Sequence, residues 1–165
     1  MLPKSRFLPL AALFLLFATA SCKEPVDGYD FVPTSFISQS GSFDFEANLA
    51  SGCLYRTRVA VRLDMRKIEG NTLPLRLMLV SPTGEKVIEQ VDFPLSKTNS
   101  AVRSRHNSGT VEDFEWFYRE HINVSDEPGK WKITITPCDE SILDGLLGVG
   151  FAYELEDGKG QTQKI

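Results

Sequence analysis

Hydrophobic and polar side chains alternate along much of this chain, and the longest alternation runs from Cys53 to Arg66. One set of alternate positions is mostly apolar and comprises Tyr55, Thr57, Val59, Val61, Leu63 and Met65. The other set is mostly basic and comprises Arg56, Arg58, Ala60, Arg62, Asp64 and Arg66. Because successive side chains of a strand point to opposite faces, this pattern predicts one long antiparallel strand with a core face and a water face.

Shorter alternations recur on both sides of this strand, and turn residues separate them. They occupy roughly 29–32, 43–47, 75–80, 85–93, 111–121, 130–136 and 149–155. Gly70-Asn71 predicts a hairpin tip and Ser81-Pro82-Thr83-Gly84 a tight turn. Only 139–148 has the apolar spacing of a brief helix or wide turn. The pattern predicts an all-β fold, an antiparallel β-sandwich of jelly-roll type with at most one short helix.

One segment interrupts the pattern. Between Ser96 and Thr110 only Ala101 and Val102 are apolar. A structureless segment of this length is uncommon in a compact domain, so the sequence predicts a surface loop that is either mobile or functional. Arg103 and Arg105 make this loop basic.

The first residues have the features of a secretory signal peptide. A basic start is followed by an apolar run at 7–21, which is shorter than the roughly 20 residues of a transmembrane helix. The ending Thr19-Ala20-Ser21-Cys22 resembles the lipobox of bacterial lipoproteins, which implies cleavage before Cys22 and acylation of this cysteine. The alternative is an ordinary signal peptide with an incidental cysteine.

These features divide the chain into four parts. We expect a lipoprotein signal peptide at 1–21, a lipidated N-terminus and tether at 22–28, a single β-sandwich domain at 29–156 and a polar tail at 157–165. The predicted location is the cell envelope, where the lipid would anchor the protein to the outer membrane, on either its periplasmic or its surface side.

Charge and motifs exclude several function classes. The formal net charge is −4, and an acidic chain is a poor binder of nucleic acid. The sequence carries no G-x-S-x-G motif, no phosphate loop, no calcium loop and no zinc-ligand spacing. We therefore predict a protein that is not an enzyme and has no cofactor and no metal.

Two cysteines follow Cys22, namely Cys53 and Cys138. An extracytoplasmic location permits disulfides, so these two residues form either a bond or two separate buried thiols. The sequence leaves both alternatives open.

Two sets of residues are candidates for binding. The first is a basic partner surface for unidentified envelope proteins, consisting of Arg56, Arg58, Arg62, Arg103 and Arg105, for which the alternative is a solvated sheet face. The second is a stacking platform for a glycan, consisting of Trp116 and Tyr118. Trp131 falls within a clean apolar alternation and is predicted to belong to the core.

The order of motifs along the chain resembles the GldH family, the gliding-motility lipoproteins of Bacteroidetes. The resemblance rests on the lipobox and on the segments Val61-Arg62, Ser81-Pro82-Thr83-Gly84, Gly129-Lys130-Trp131 and Leu146-Leu147-Gly148-Val149-Gly150. It implies a small acylated β-sandwich and a non-enzymatic component of an envelope machine for gliding or the associated secretion. The shared motifs are turns, glycines and strand patterns, so the resemblance implies no catalytic residue.

Overall fold

The computed structural model describes residues 27–123 and 127–156, which form a sandwich of two antiparallel sheets. The predicted signal peptide, the lipidation site Cys22 and the polar tail at 157–165 lie outside the described residues. The strands are β1 (Gly28–Pro33), β2 (Phe43–Leu49), β3 (Leu54–Asp64), β4 (Thr72–Val80), β5 (Lys86–Pro94), β6 (Val102–Ser108), β7 (Val111–Asn123), β8 (Gly129–Pro137) and β9 (Leu146–Leu155).

The strand order is that of a jelly roll. One sheet has the order β1-β9-β3-β7-β6 and the other has the order β2-β8-β4-β5. Successive strands lie in opposite sheets except in the hairpins β4–β5 and β6–β7, so the chain crosses repeatedly between the two sheets. β6 is an additional strand at one edge of the five-stranded sheet. The predicted all-β antiparallel sandwich is confirmed.

β3 is the middle strand of the five-stranded sheet and pairs with both β7 and β9. Its predicted apolar face is buried, with Tyr55, Val59 and Leu63 each 0% exposed. These side chains meet the inward face of the other sheet. The largest side chains of this shared core are Phe43, Leu73, Leu75, Leu77, Phe93, Phe114, Ile133 and Ile135. Trp131 packs against the core as predicted.

The predicted hairpin at Gly70-Asn71 is wrong. β3 belongs to the five-stranded sheet, whereas β4 pairs with β5 and β8 in the four-stranded sheet. The segment between β3 and β4 therefore crosses between the sheets. Gly70 still has a left-handed backbone, with φ 92°, so the local turn signal was real although the pairing inferred from it was not.

The predicted loop at 96–110 is also wrong over half of its length. Residues 102–108 form β6, which pairs with β7 through Val102 opposite Trp116 and Arg105 opposite Asp113. A polar sequence can form this strand because the neighbouring β7 supplies the hydrogen bonds and only Val102 has to be buried.

Helical structure is limited to two 3₁₀ turns among the described residues, at Thr34–Phe36 and Glu140–Asp144. The second is the brief helix predicted near 139–148. The Asp139 carboxylate caps it by accepting a hydrogen bond of 2.9 Å from the backbone N–H of Ser141. In the part of the chain that the structure describes, no helix is long and apolar enough to cross a membrane.

Small residues of β9 make room for an aromatic ring of the adjacent strand. The Phe31 ring lies over Gly148 and Gly150, where a Cβ atom at Gly150 would stand 3.1 Å from Phe31 Cδ2 and 3.2 Å from Ala60 Cβ. A Cβ atom at Gly148 would overlap the Phe31 ring itself. The glycines thus allow β1 to pack its ring flat against the sheet.

We expect Gly148→Ala to destabilise the protein by about 1–3 kcal/mol, because the added methyl group collides with the Phe31 ring. Urea unfolding of the purified protein measures this cost. Leu147→Ala, at the exposed neighbouring position, is the control and should change stability by less than about 0.5 kcal/mol. In a Phe31→Ala background the cost of Gly148→Ala should shrink, and an undiminished cost would contradict the packing described above.

Candidate functional site

Charged and aromatic side chains concentrate on the face of the five-stranded sheet that is turned away from the other sheet. We call this surface the outer face. Four of its five strands carry arginines or the carboxylates that pair with them, and β1 adds two aromatic rings. Its members are Tyr29, Phe31, Arg56, Arg58, Ala60, Arg62, Arg103, Arg105, Asp113, Glu115, Phe117 and Glu154.

The strand register aligns these side chains in rows across the sheet. Arg58 lies opposite Phe117 on one side and Ala152 on the other. In the same way, Arg62 of β3 lies opposite Asp113 of β7, which in turn lies opposite Arg105 of β6. Opposite charges on adjacent strands are thereby placed at cross-strand contact distance.

The arginines of β3 are paired within the molecule. Arg56 Nε donates to Glu154 Oε2 at 3.2 Å, and Arg58 Nη1 donates to Glu115 Oε2 at 2.9 Å. Arg58 also pairs with Glu154, and its side chain is only 16% exposed. The positive charge predicted for this face is therefore largely compensated by carboxylates of β7 and β9.

Arg62 makes the most complete of these pairs. Its Nε and Nη2 atoms donate to the two carboxylate oxygens of Asp113 at 2.7 and 3.1 Å. This hydrogen bonding raises the pKa of the Arg62 guanidinium above its usual value. The guanidinium also lies 5.1 Å from the centre of the Phe31 ring, in a cation–π arrangement. Arg62 is thus held from two directions.

The arginines of β6 are far less constrained. Arg105 is 80% exposed, and its Nη2 atom is 3.8 Å from Asp113 Oδ2, which is beyond hydrogen-bond distance. Arg103 lies 5.0 Å from the centre of the Phe117 ring and has no salt-bridge partner among the described residues. The available positive charge of the outer face is therefore concentrated on β6.

A cleft of about 300 Å³ opens on the outer face. Side chains from both edge strands of the sheet line it, with Tyr29 from β1 and Arg103 and Arg105 from β6. Its lining also includes Ala60, whose small side chain lets the longer ones surround a depression. Tyr29 is 61% exposed, and partial burial together with the nearby Glu115 carboxylate raises its pKa.

A polar cluster fixes the turn between β6 and β7 to the end of β3. The Thr110 hydroxyl donates to Asp64 Oδ1 at 2.7 Å, and the Met65 N–H donates to the Thr110 carbonyl at 2.9 Å. Arg66 Nη2 pairs with Asp64 Oδ2 at 2.7 Å. The bonds from Arg66 and then Thr110 hold the pKa of Asp64 well below 3.8. This cluster positions the hairpin that carries Arg103 and Arg105.

Trp116 and Tyr118 do not lie on the outer face. Trp116 is half-buried on the inward side of β7, where it makes T-shaped contacts of 5.7 Å with both Phe93 and Tyr118. The Tyr118 hydroxyl donates to Glu89 of β5, and burial followed by this bond raises its pKa to about 12. The two residues join β7 to β5, so the geometry favours a structural role for them over a sugar platform.

The structure contradicts a bond between Cys53 and Cys138, because both are free thiols. Leu49 pairs with Gly129, so the turn that contains Cys53 lies beside the start of β8, whereas Cys138 follows its end. At about 3.3 Å per residue these ends are about 26 Å apart, far beyond disulfide reach. The alternative of two buried thiols is half right, since Cys53 is half-buried against the core and Cys138 is exposed.

Comparison with known proteins finds no matching protein family, no matching curated protein and no matching solved structure. Within the described ranges 27–123 and 127–156, no three His, Cys, Asp or Glu side chains are grouped so that they hold a metal ion.

Sequence reasoning missed several members of the outer face. Nothing in the sequence distinguishes Asp113 and Glu115 from the other acidic residues, although they are the partners of Arg62 and Arg58. Tyr29 lies in the short alternation at 29–32, which does not indicate its place beside the arginines. The alternate small residues Gly148, Gly150 and Ala152 of β9 are a sequence signal that another element packs closely against this strand, although they do not identify that element.

We expect Asp64→Asn to lower stability at neutral pH, because an amide cannot form the ion pair with Arg66. Since the folded-state pKa of Asp64 lies below 3.8, its contribution is complete above that pH and is lost as the pH falls towards the folded-state pKa. The difference in urea midpoint between wild type and variant should therefore shrink below about pH 4. Asp92→Asn, at an exposed position of β5, is the control. A difference that stays constant with pH would refute the assignment.

We expect Cys53 and Cys138 to be alkylated by iodoacetamide in the unfolded chain without any reductant. In the folded protein Cys138 should react faster, because it is exposed and Cys53 packs against the core. Peptide mapping by mass spectrometry gives both rates. Protection of both thiols until a reductant is added would show that the cysteines are bonded.

Proposed function

We propose that this chain is a lipid-anchored, non-enzymatic protein of the cell envelope that acts by protein contact, as the resemblance to GldH-type gliding-motility lipoproteins suggests. The anchor in this proposal is Cys22. β1 begins at Gly28, six residues further on. Such a tether spans at most about 22 Å, so the sandwich would work close to the membrane that holds it.

The observation that carries the proposal is the exposure of β6. This strand pairs with β7 on one side only, and it forms an edge of the sheet. Every residue from Arg103 to Ser108 is exposed, including Ser104 and His106, which point towards the side of the other sheet. No layer of the described structure covers β6, so both of its faces and its outer backbone groups are open to a partner.

The charges on β6 indicate the kind of partner. An edge strand presents unpaired N–H and C=O groups, and an extended segment of another protein can add to it. Arg103 and Arg105 would repel a second copy of the same strand, whereas an acidic segment would complement them. An acidic segment of a neighbouring envelope protein is therefore the partner that fits this edge.

The arginines of β3 support this proposal less directly. Arg56, Arg58 and Arg62 are engaged by carboxylates of the same molecule, so a partner would have to break existing ion pairs to use them. These arginines link β3 to β7 and β9 through ion pairs. Because they pair with Asp113 and Glu115, these two carboxylates do not fully neutralise the arginines of β6.

We expect Arg103→Gln with Arg105→Gln to reduce cross-linking of the full-length lipoprotein to its partners in native membranes, because both exposed guanidinium groups are lost. Mass spectrometry of the cross-linked products, with labelled wild type as reference, measures the reduction for each partner. The capture should also weaken as salt is raised, since exposed charges are screened beyond about 10 Å at 0.1 M.

Lys86→Gln with Lys132→Gln is the matched control, because it removes two exposed cations from the four-stranded sheet. This variant should retain all partners. Equal capture by the wild type, the arginine variant and the lysine variant would show that β6 is not the contact. Loss of the same partners in both variants would show a general charge effect instead.

A further inference from the structure

The cleft on the outer face combines three chemical features that no intramolecular contact fully uses. It has two exposed guanidinium groups, an exposed aromatic ring and a carboxylate oriented by its neighbours. We propose that this cleft binds a carboxylate-bearing sugar, such as a uronic acid residue of an acidic polysaccharide. The cleft shares Arg103 and Arg105 with the protein contact proposed above but adds Tyr29 and Asp113, and the inference does not depend on that contact.

The sugar carboxylate would bind at the β6 wall. Arg105 is 80% exposed, and its 3.8 Å separation from Asp113 leaves its N–H groups available. Arg103 is exposed beside it, lies over the Phe117 ring and has no salt-bridge partner among the described residues. Guanidinium groups bind carboxylates through two parallel hydrogen bonds, a geometry for which the planar fork is already organised.

The sugar ring would bind against the β1 wall. Tyr29 is 61% exposed, so one surface of its ring is open to a ligand. Burial, followed by the nearby carboxylates of Glu115 and Asp113, raises the pKa of Tyr29, so its hydroxyl stays protonated and can donate a hydrogen bond. An amphipathic ring of this kind offers an apolar surface for sugar C–H groups and a hydroxyl for a polar contact.

Asp113 supplies an oriented acceptor on the floor between the two walls. Arg62 fixes its two oxygens at 2.7 and 3.1 Å, and Asn107 Nδ2 lies 3.4 Å from Oδ2. A carboxylate held in this way can accept a hydrogen bond from a sugar hydroxyl without reorganising.

Charge and shape favour an acidic sugar over other ligands. Three guanidinium groups and two carboxylates line the cleft, and one of these carboxylates is paired with Arg58. The net charge of the cleft is therefore positive, which favours an acidic sugar over a neutral one. An extended peptide would seek the strand edges, whereas the cleft lies on the face of the sheet, where side chains dominate the surface. A simple phosphate would make no use of Tyr29. The volume of about 300 Å³ is at the lower end for small-molecule sites.

Isothermal titration of the full-length lipoprotein in detergent tests the inference. The probes are a galacturonic acid hexamer, a neutral galactose hexamer, inorganic phosphate and a glutamic acid hexapeptide. We expect binding of the uronic acid hexamer alone. Tyr29→Ala and Arg105→Gln should each weaken it by about tenfold, the effect of one lost stacking or charged contact. Phe36→Ala is the control for an exposed aromatic residue outside the cleft and should leave affinity unchanged.

Each other outcome overturns the inference. Equal binding of the neutral hexamer would show that the arginines do not select a sugar with a carboxylate. Equal binding of the peptide, unaffected by Tyr29→Ala, would show a general acidic surface, and binding of phosphate alone would show an anion site. No binding of any probe by the folded wild type would refute the site outright. Because Tyr29 lies on β1, Tyr29→Ala should leave cross-linking through β6 intact, so failure of either proposal is recognised separately.

Discussion

The register of β3 against its two neighbours is the constraint on which the rest of this molecule depends. β3 is hydrogen-bonded on both sides, and its buried face carries Tyr55, Val59, Val61 and Leu63 into the shared core. A slip of one residue would move this entire face into water and turn the arginines inward. The cost of burying those charges fixes the register, and the fixed register sets which side chains of β7 and β9 meet the arginines.

The ion pairs of the outer face matter more for geometry than for stability. Exposed pairs of this kind contribute about 0–1 kcal/mol each, far less than the buried aromatic and leucine side chains of the core. These ion pairs hold the carboxylates of Asp113 and Glu115 in place and neutralise the arginines of β3. On the outer face, the available cations are therefore Arg103 and Arg105 of β6, at the rim of the cleft.

Patterns that depend on one strand were predictable, whereas relations between strands were not. The alternation in β3 predicted a buried face, and this face is buried in the structure. The sequence could not show that β3 and β4 lie in different sheets, because a Gly-Asn turn is compatible with either arrangement. The pairing of Arg62 with Asp113 was also not predictable, because it depends on the register between two strands and the two residues lie 51 positions apart in the chain.

β6 shows why a polar segment is hard to interpret from sequence, and also why it suits recognition. Only Val102 is buried, so the strand adds little to the core and depends on its bonds to β7 and on the fixed turn at Thr110. Elements with few buried apolar contacts lie at the low-stability end of a protein and adapt most readily to a ligand. The Asp64 cluster holds one end of the hairpin in register, while Arg103 and Arg105 remain exposed. The fixed turn thus sets where the two guanidinium groups stand along the edge of the sheet.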